Sequence, residues 1–187
     1  DKSKGVAHEN LNGVNNNYAV HADNSLSAEL KELRSKFISR SIPPTDWLGD
    51  APERFDDYTR YAQGCETILE LGVYSGLSTA AFLCARPKKM TSLDVSFRNL
   101  SIRSQLENIA AEQGTKLEFI EKNDLEYVNG GHDLLFIDTS HAYKHTLLEL
   151  ERFGQLTRKR IVLHDVASHM GVYKALLEWL WENKNFY

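Results

Sequence analysis

The chain has 187 residues, with 22 Lys and Arg against 26 Asp and Glu, so its net charge is −4. That balance argues against a general nucleic-acid binder, which carries a basic excess. No apolar run approaches the ~20 residues of a membrane span, and no signal-peptide pattern opens the sequence. Hydrophobic residues make up 42%, enough to bury a core without a disulfide or structural metal. The two cysteines, Cys65 and Cys84, lack metal or redox spacing and fit a reducing cytoplasm. The sequence begins without Met, as in a processed or trimmed chain.

Residues 1–24 are polar and Asn-rich, with no hydrophobic period, and read as a flexible tail. Residues 25–64 read as a helical appendage. Leu26, Leu30, Leu33 and Phe37 form one stripe at helical spacing, with Ser25 as a fair N-cap and Pro43-Pro44 as a stop. Asp50, Pro52 and Glu53 would open a second helix with Phe55, Tyr58 and Ala62 as its stripe, and Gly64 would end it.

From residue 65 the pattern changes to short apolar runs alternating with helical stretches. The runs are Thr67–Leu71, Met90–Val95, Leu117–Glu121, Asp133–Asp138 and Arg160–Val166. The helical stripes between and after them include Ile102, Leu106 and Ile109, then Tyr143, Leu147 and Leu150, then Val172, Leu176, Trp179 and Leu180. This alternation predicts an α/β fold of three layers, a mostly parallel sheet covered by helices on both faces. The terminal Asn185-Phe186-Tyr187 reads as the start of a further strand that is cut off.

The first run leads into Glu70-Leu71-Gly72-Val73-Tyr74-Ser75-Gly76. In an open parallel sheet, ligands bind at the carboxyl ends of the strands, and glycine lets the backbone come close to a ligand. A dinucleotide fingerprint needs Gly-x-Gly-x-x-Gly, but Tyr74 stands where the second glycine would be. That counts against a nicotinamide-dependent oxidoreductase. Glu70 can accept hydrogen bonds from a ligand, and Asp94 at the end of the second run can grip the two hydroxyls of a ribose. Asn123 and Asp124, after the third run, can hydrogen-bond the edge of an adenine.

Taken in order, Glu70 to Gly76, Leu93-Asp94, Phe136-Ile137-Asp138-Thr139-Ser140-His141-Ala142-Tyr143 and Leu163-His164-Asp165-Val166 resemble the class I S-adenosylmethionine-dependent methyltransferases. The closest branch is the bacterial small-molecule O-methyltransferase-like group. The resemblance spans about residues 65–187 and implies a Rossmann-like domain. It implies that Glu70, Gly72, Val73, Tyr74, Ser75, Gly76 and Ser78 hold the methionine part of S-adenosylmethionine. Asp94 would then hold the ribose, and Asn123 and Asp124 the adenine. Such enzymes usually close the sheet with an antiparallel pair, which this sequence stops short of. An exposed sheet edge would invite a second copy, a homodimer.

Methyl transfer to an alcohol needs its proton removed, by a histidine or through a divalent cation. Asp138, His141 and His164 are the catalytic candidates. In related catechol-type enzymes metal ligands end the fourth and fifth strands, which here implies Asp138, His164 and Asp165. His164-Asp165 departs from that group's Asp-Asn, and a His ligand favours a metal softer than Mg²⁺. His141 serves equally well as an N-cap of the next helix. His132 reads as surface, His145 as a solvated helix position, Tyr143, Trp179 and Trp181 as packing, and Arg158-Lys159-Arg160 as a solvated turn. The acceptor is expected to be a small molecule, with neither nucleic acid nor membrane as partner. The rival from another class is a nucleoside-binding module without turnover.

Overall fold

The structure is a computed structural model that describes residues 26–42, 54–128 and 130–184. The expected tail 1–24, the Ser25 cap, Pro43-Pro44, the Asp50–Glu53 helix start and the strand at Asn185–Tyr187 lie outside the described residues. Helix α1 covers Ala28–Ile38 and α2 covers Arg54–Ala62. The cap of α1 is Ser27, whose side chain accepts from Leu30 N–H. The alternation then follows as β1 (Thr67–Leu71), α3 (Leu77–Leu83), β2 (Lys89–Asp94), α4 (Arg103–Gln113) and β3 (Lys116–Glu121). A 3₁₀ turn at Asp124–Glu126 leads to β4 (His132–Ile137), α5 (Tyr143–Phe153), β5 (Thr157–Leu163) and α6 (Met170–Glu182). Ile102, expected inside a helix, caps α4 instead, and β5 begins three residues earlier than the sequence suggested.

The five strands are all parallel, in the order β3-β2-β1-β4-β5. Every residue of β4 is buried, as a central strand covered on both faces requires. Side chains alternate across the sheet, and the two faces make two cores. Ile68, Met90, Leu134 and Phe136 pack under α1, α2, α3 and α4. Leu69, Leu71, Leu93, Leu135 and Ile137 pack under α5 and α6, against Leu150, Phe153 and Trp179. The two N-terminal helices therefore share a core with the sheet. Tyr58 of α2 meets Phe136 edge-on at 5.1 Å between ring centres, and Phe82 at 5.9 Å.

Three expectations are corrected here. Arg158-Lys159-Arg160 lie within β5, where Lys159 and Arg160 staple the end of α2 to the sheet and Arg158 pairs within it. Arg160 donates to the carbonyls of Tyr61 and Gln63, Lys159 to that of Gly64, and Arg158 to Asp133. These carbonyls belong to the C-terminal end of α2, where cations are favoured. His132 is buried, its Nε2 2.8 Å from Thr157 Oγ1, and burial lowers its pKa to about 4. Trp181 is 73% exposed, whereas Trp179 is buried as expected. No helix among the described residues is long and apolar enough to cross a membrane.

Candidate functional site

A cavity of about 350 Å³ opens at the carboxyl ends of β1, β2, β3 and β4, where an open parallel sheet receives ligands. Its wall includes Gly72, Val73 and Tyr74 after β1, Asp94 at the end of β2, Asn123 and Asp124 after β3, and Asp138 after β4. Thr139 and His145 complete that side.

The loop after β1 is fixed by its neighbours. Gly72 N–H donates to the Leu93 carbonyl, and Asp138 N–H donates to the Leu71 carbonyl, both at 2.8 Å. Gly72 has φ +86°, and a Cβ there would stand 1.8 Å from the Asp138 carbonyl oxygen. The close approach that demands glycine is thus to the β4 backbone rather than to a ligand. Val73 N–H and Tyr74 N–H both donate to Asp94 Oδ2, at 2.9 and 3.0 Å, and Ser96 N–H donates to Oδ1. Asp94 so holds the loop's shape while facing the cavity. Asn123 Oδ1 accepts from Leu125 N–H and caps the 3₁₀ turn.

Glu70, Ser75, Gly76 and Ser78 do not line the cavity. Glu70 shares the strand parity of Ile68, so it points at α3. It is fully buried and accepts from Ser78 Oγ (2.5 Å) and Thr79 Oγ1 (2.8 Å). Burial raises its pKa to about 7 against the pull of those hydroxyls. Ser75 is buried behind the loop, and Gly76 is the left-handed cap of α3.

Asp138 joins the cavity to a cluster formed after β4 and β5. His141 Nε2 lies 2.9 Å from Asp165 Oδ2 and 3.4 Å from Asp138 Oδ1. His164 Nδ1 lies 3.2 and 3.4 Å from the same two oxygens. His141 is not the helix cap, a position taken by Ala142, and it has φ +28°. Asp165 also sits in the left-handed region, at φ +57°. Strained residues of this kind concentrate at functional sites. Burial alone would raise the Asp138 pKa, yet the contacts with His141 and His164 hold it at about 2. Asp138, with help from Asp165, raises that of His141. The four His–Asp separations of 2.9–3.4 Å match edges of a coordination shell with bonds of about 2.1 Å, and all four ligand atoms lie within 4.8 Å of one another. Two imidazoles and two carboxylates therefore fit a borderline divalent cation.

Two contributors were missed in the sequence. His169 stacks on His141 with ring centres 4.2 Å apart. Glu149, buried in α5, accepts from Thr139 Oγ1 at 2.7 Å. A signal for Glu149 existed: His145 and Glu149 are four apart on the helix side that carries Leu150. His145 is half-buried rather than fully solvated, its Nε2 lying 3.1 and 3.2 Å from the two oxygens of Asp124.

The profile of a family described as a methyltransferase domain matches residues 69–166. No curated protein matches the chain. Among solved structures, an S-adenosylhomocysteine-bound methyltransferase of Podospora anserina is 15% identical, covering 97% of this chain and 91% of its own, with a TM-score of 0.55. An O-methyltransferase of Bacillus cereus in complex with S-adenosylhomocysteine is 17% identical, covering 90% and 84%, with a TM-score of 0.56. These likenesses are ones of fold.

Proposed function

Because the chain belongs to this methyltransferase family, we propose that its cavity binds S-adenosylmethionine and that the adjoining His–Asp cluster deprotonates a hydroxyl of a small-molecule acceptor. The observation that carries this reading is the double membership of Asp138. It lines the cavity and also contacts His141 and His164, so cofactor and proton acceptor would meet at one edge. Solved structures that share the fold carry S-adenosylhomocysteine, one of them in an O-methyltransferase.

S-adenosylmethionine, when bound, supplies the electrophilic methyl group. Asp94 is suited to the ribose, the main chain of Gly72–Tyr74 to the methionine part, and Asn123-Asp124 to the adenine. Glu70, Ser75, Gly76 and Ser78 would support the loop from behind. His141 is the proton acceptor: with Nε2 donating to Asp165, the Nδ1 of the neutral ring keeps its lone pair. Asp165 and the stacked His169 fix the ring, and the two carboxylates stabilise the imidazolium that forms. His164 backs Asp138 from the buried side. A divalent cation, if held by Asp138, His164 and Asp165 with His141 as a fourth ligand, would lower the hydroxyl's pKa directly.

Isothermal titration with S-adenosylhomocysteine, followed by a methyl-release screen on hydroxyl acceptors with and without EDTA, tests this. The expected result is binding with turnover of at least one acceptor. Absence of nucleoside binding would overturn the reading, and binding with no turnover on any acceptor would favour the non-catalytic module.

A further inference from the structure

The far wall of the cavity holds a second polar cluster, separate from the His–Asp group. Asp124 on the 3₁₀ turn and His145 and Glu149 on α5 each bring one side-chain N or O atom to within 4.8 Å of the other two. Glu149 is 0% exposed. Its Oε1 accepts from Thr139 and lies 3.5 Å from His145 Nε2. Its Oε2 is buried with no hydrogen-bond partner.

A buried carboxylate oxygen without a donor is costly, and two ionised carboxylates within 4.8 Å of each other, away from water, repel strongly. One proton resolves both problems. Placed on Glu149 Oε2 it turns an orphaned acceptor into a donor, with Asp124 as the acceptor. We infer that Glu149 is a positioning residue which holds one proton against Asp124, keeping Asp124 oriented toward the exocyclic amine of an adenine. This deepens the cofactor reading above and rests on it.

The groups facing Glu149 agree. Asp124 comes from the turn after β3, Asp138 from the end of β4, Thr139 from the loop after it, and His145 from its own helix. Burial, then the neighbouring Asp124 carboxylate, pushes the Glu149 pKa up to about 9, while Thr139 opposes the rise. Asp124 and His145 line the cavity, whereas Glu149 is the support behind them.

The test is the affinity of the full chain for 5′-methylthioadenosine as a function of pH. This probe carries the adenine but no amine or carboxylate that titrates near neutrality. Wild type should bind with constant affinity near pH 7 and lose about tenfold as the pH rises through the titration of Glu149. Glu149→Gln, a neutral side chain that still donates, should stay within about twofold of wild type near pH 7 and lose the alkaline fall. Glu149→Leu should bind about tenfold more weakly at neutral pH. If it fails to fold by circular dichroism, wild type and Glu149→Gln decide alone. A flat wild-type profile would overturn the inference. So would Glu149→Gln binding tenfold worse, which requires an ionised carboxylate, or wild-type affinity that collapses with EDTA, which requires a cation. If wild type binds no nucleoside at any pH, the cofactor reading falls; if it binds without the alkaline step, only the role of Glu149 falls.

Discussion

Gly72→Ala isolates what holds the site together, because two costs can be separated at this fold's glycines. At Gly64 φ is +73° and a Cβ would meet nothing within 4 Å. Alanine there should cost only left-handed strain, about 1 kcal/mol. At Gly72 the strain is similar, but the new Cβ would lie 1.8 Å from the Asp138 carbonyl oxygen. Ordinary carbon–oxygen contact is about 3.3 Å, so β1 and β4 must part by about 1.5 Å at that point. The parting breaks the Asp138 to Leu71 bond, in a buried seam where a lost bond costs about 1–3 kcal/mol. With the left-handed strain the total is about 3 kcal/mol, a large part of the stability of many domains. Gly76→Ala should fall between the two, because its Cβ would meet the movable end of Leu100 at 2.6 Å. Urea unfolding of the three variants reads the order directly. If Gly72→Ala came within about 1 kcal/mol of Gly64→Ala, the backbone clash would not be the reason for this glycine.

His141→Ala and Asp138→Asn should each lower kcat by about 100-fold or more while changing affinity for S-adenosylhomocysteine less than about threefold. Equal losses in both would reduce these residues to binding groups. The pH dependence of kcat/KM should rise through a midpoint above 6.5, the ordinary value for His, because Asp138 and Asp165 raise the His141 pKa. Below that midpoint the ring is protonated and cannot accept a proton. Asp165→Asn should shift the limb to lower pH, and an unmoved limb would assign it to another group. Arg160→Ala should lower stability by about 1 kcal/mol, seen as a lower urea midpoint at unchanged slope. It removes donors from the carbonyls of Tyr61 and Gln63 at the end of α2.

Residue pattern alone was enough to read the element types, their alternation along the chain and the sheet rim on which the cavity opens. Apolar runs such as Leu134–Ile137 and the stripes of α5 and α6 are local patterns, and a local pattern is enough to decide which face of an element is buried. It also placed Asp94 and Asp138 at strand ends, which the parallel sheet necessarily gathers on one side. Strand parity even held the correction for Glu70, since it alternates with Leu69 and Leu71 and so turns toward α3. The remaining features came from the packing of distant segments. The burial of His132 depends on Thr157 from a neighbouring strand, and the role of Arg158–Arg160 on where α2 docks. The facing of Glu149 and Asp124 depends on how α5 lies over the turn after β3. The reason is that contacts between side chains far apart in sequence depend on the angles of the intervening loops and on helix placement. No spacing within a single element carries those quantities.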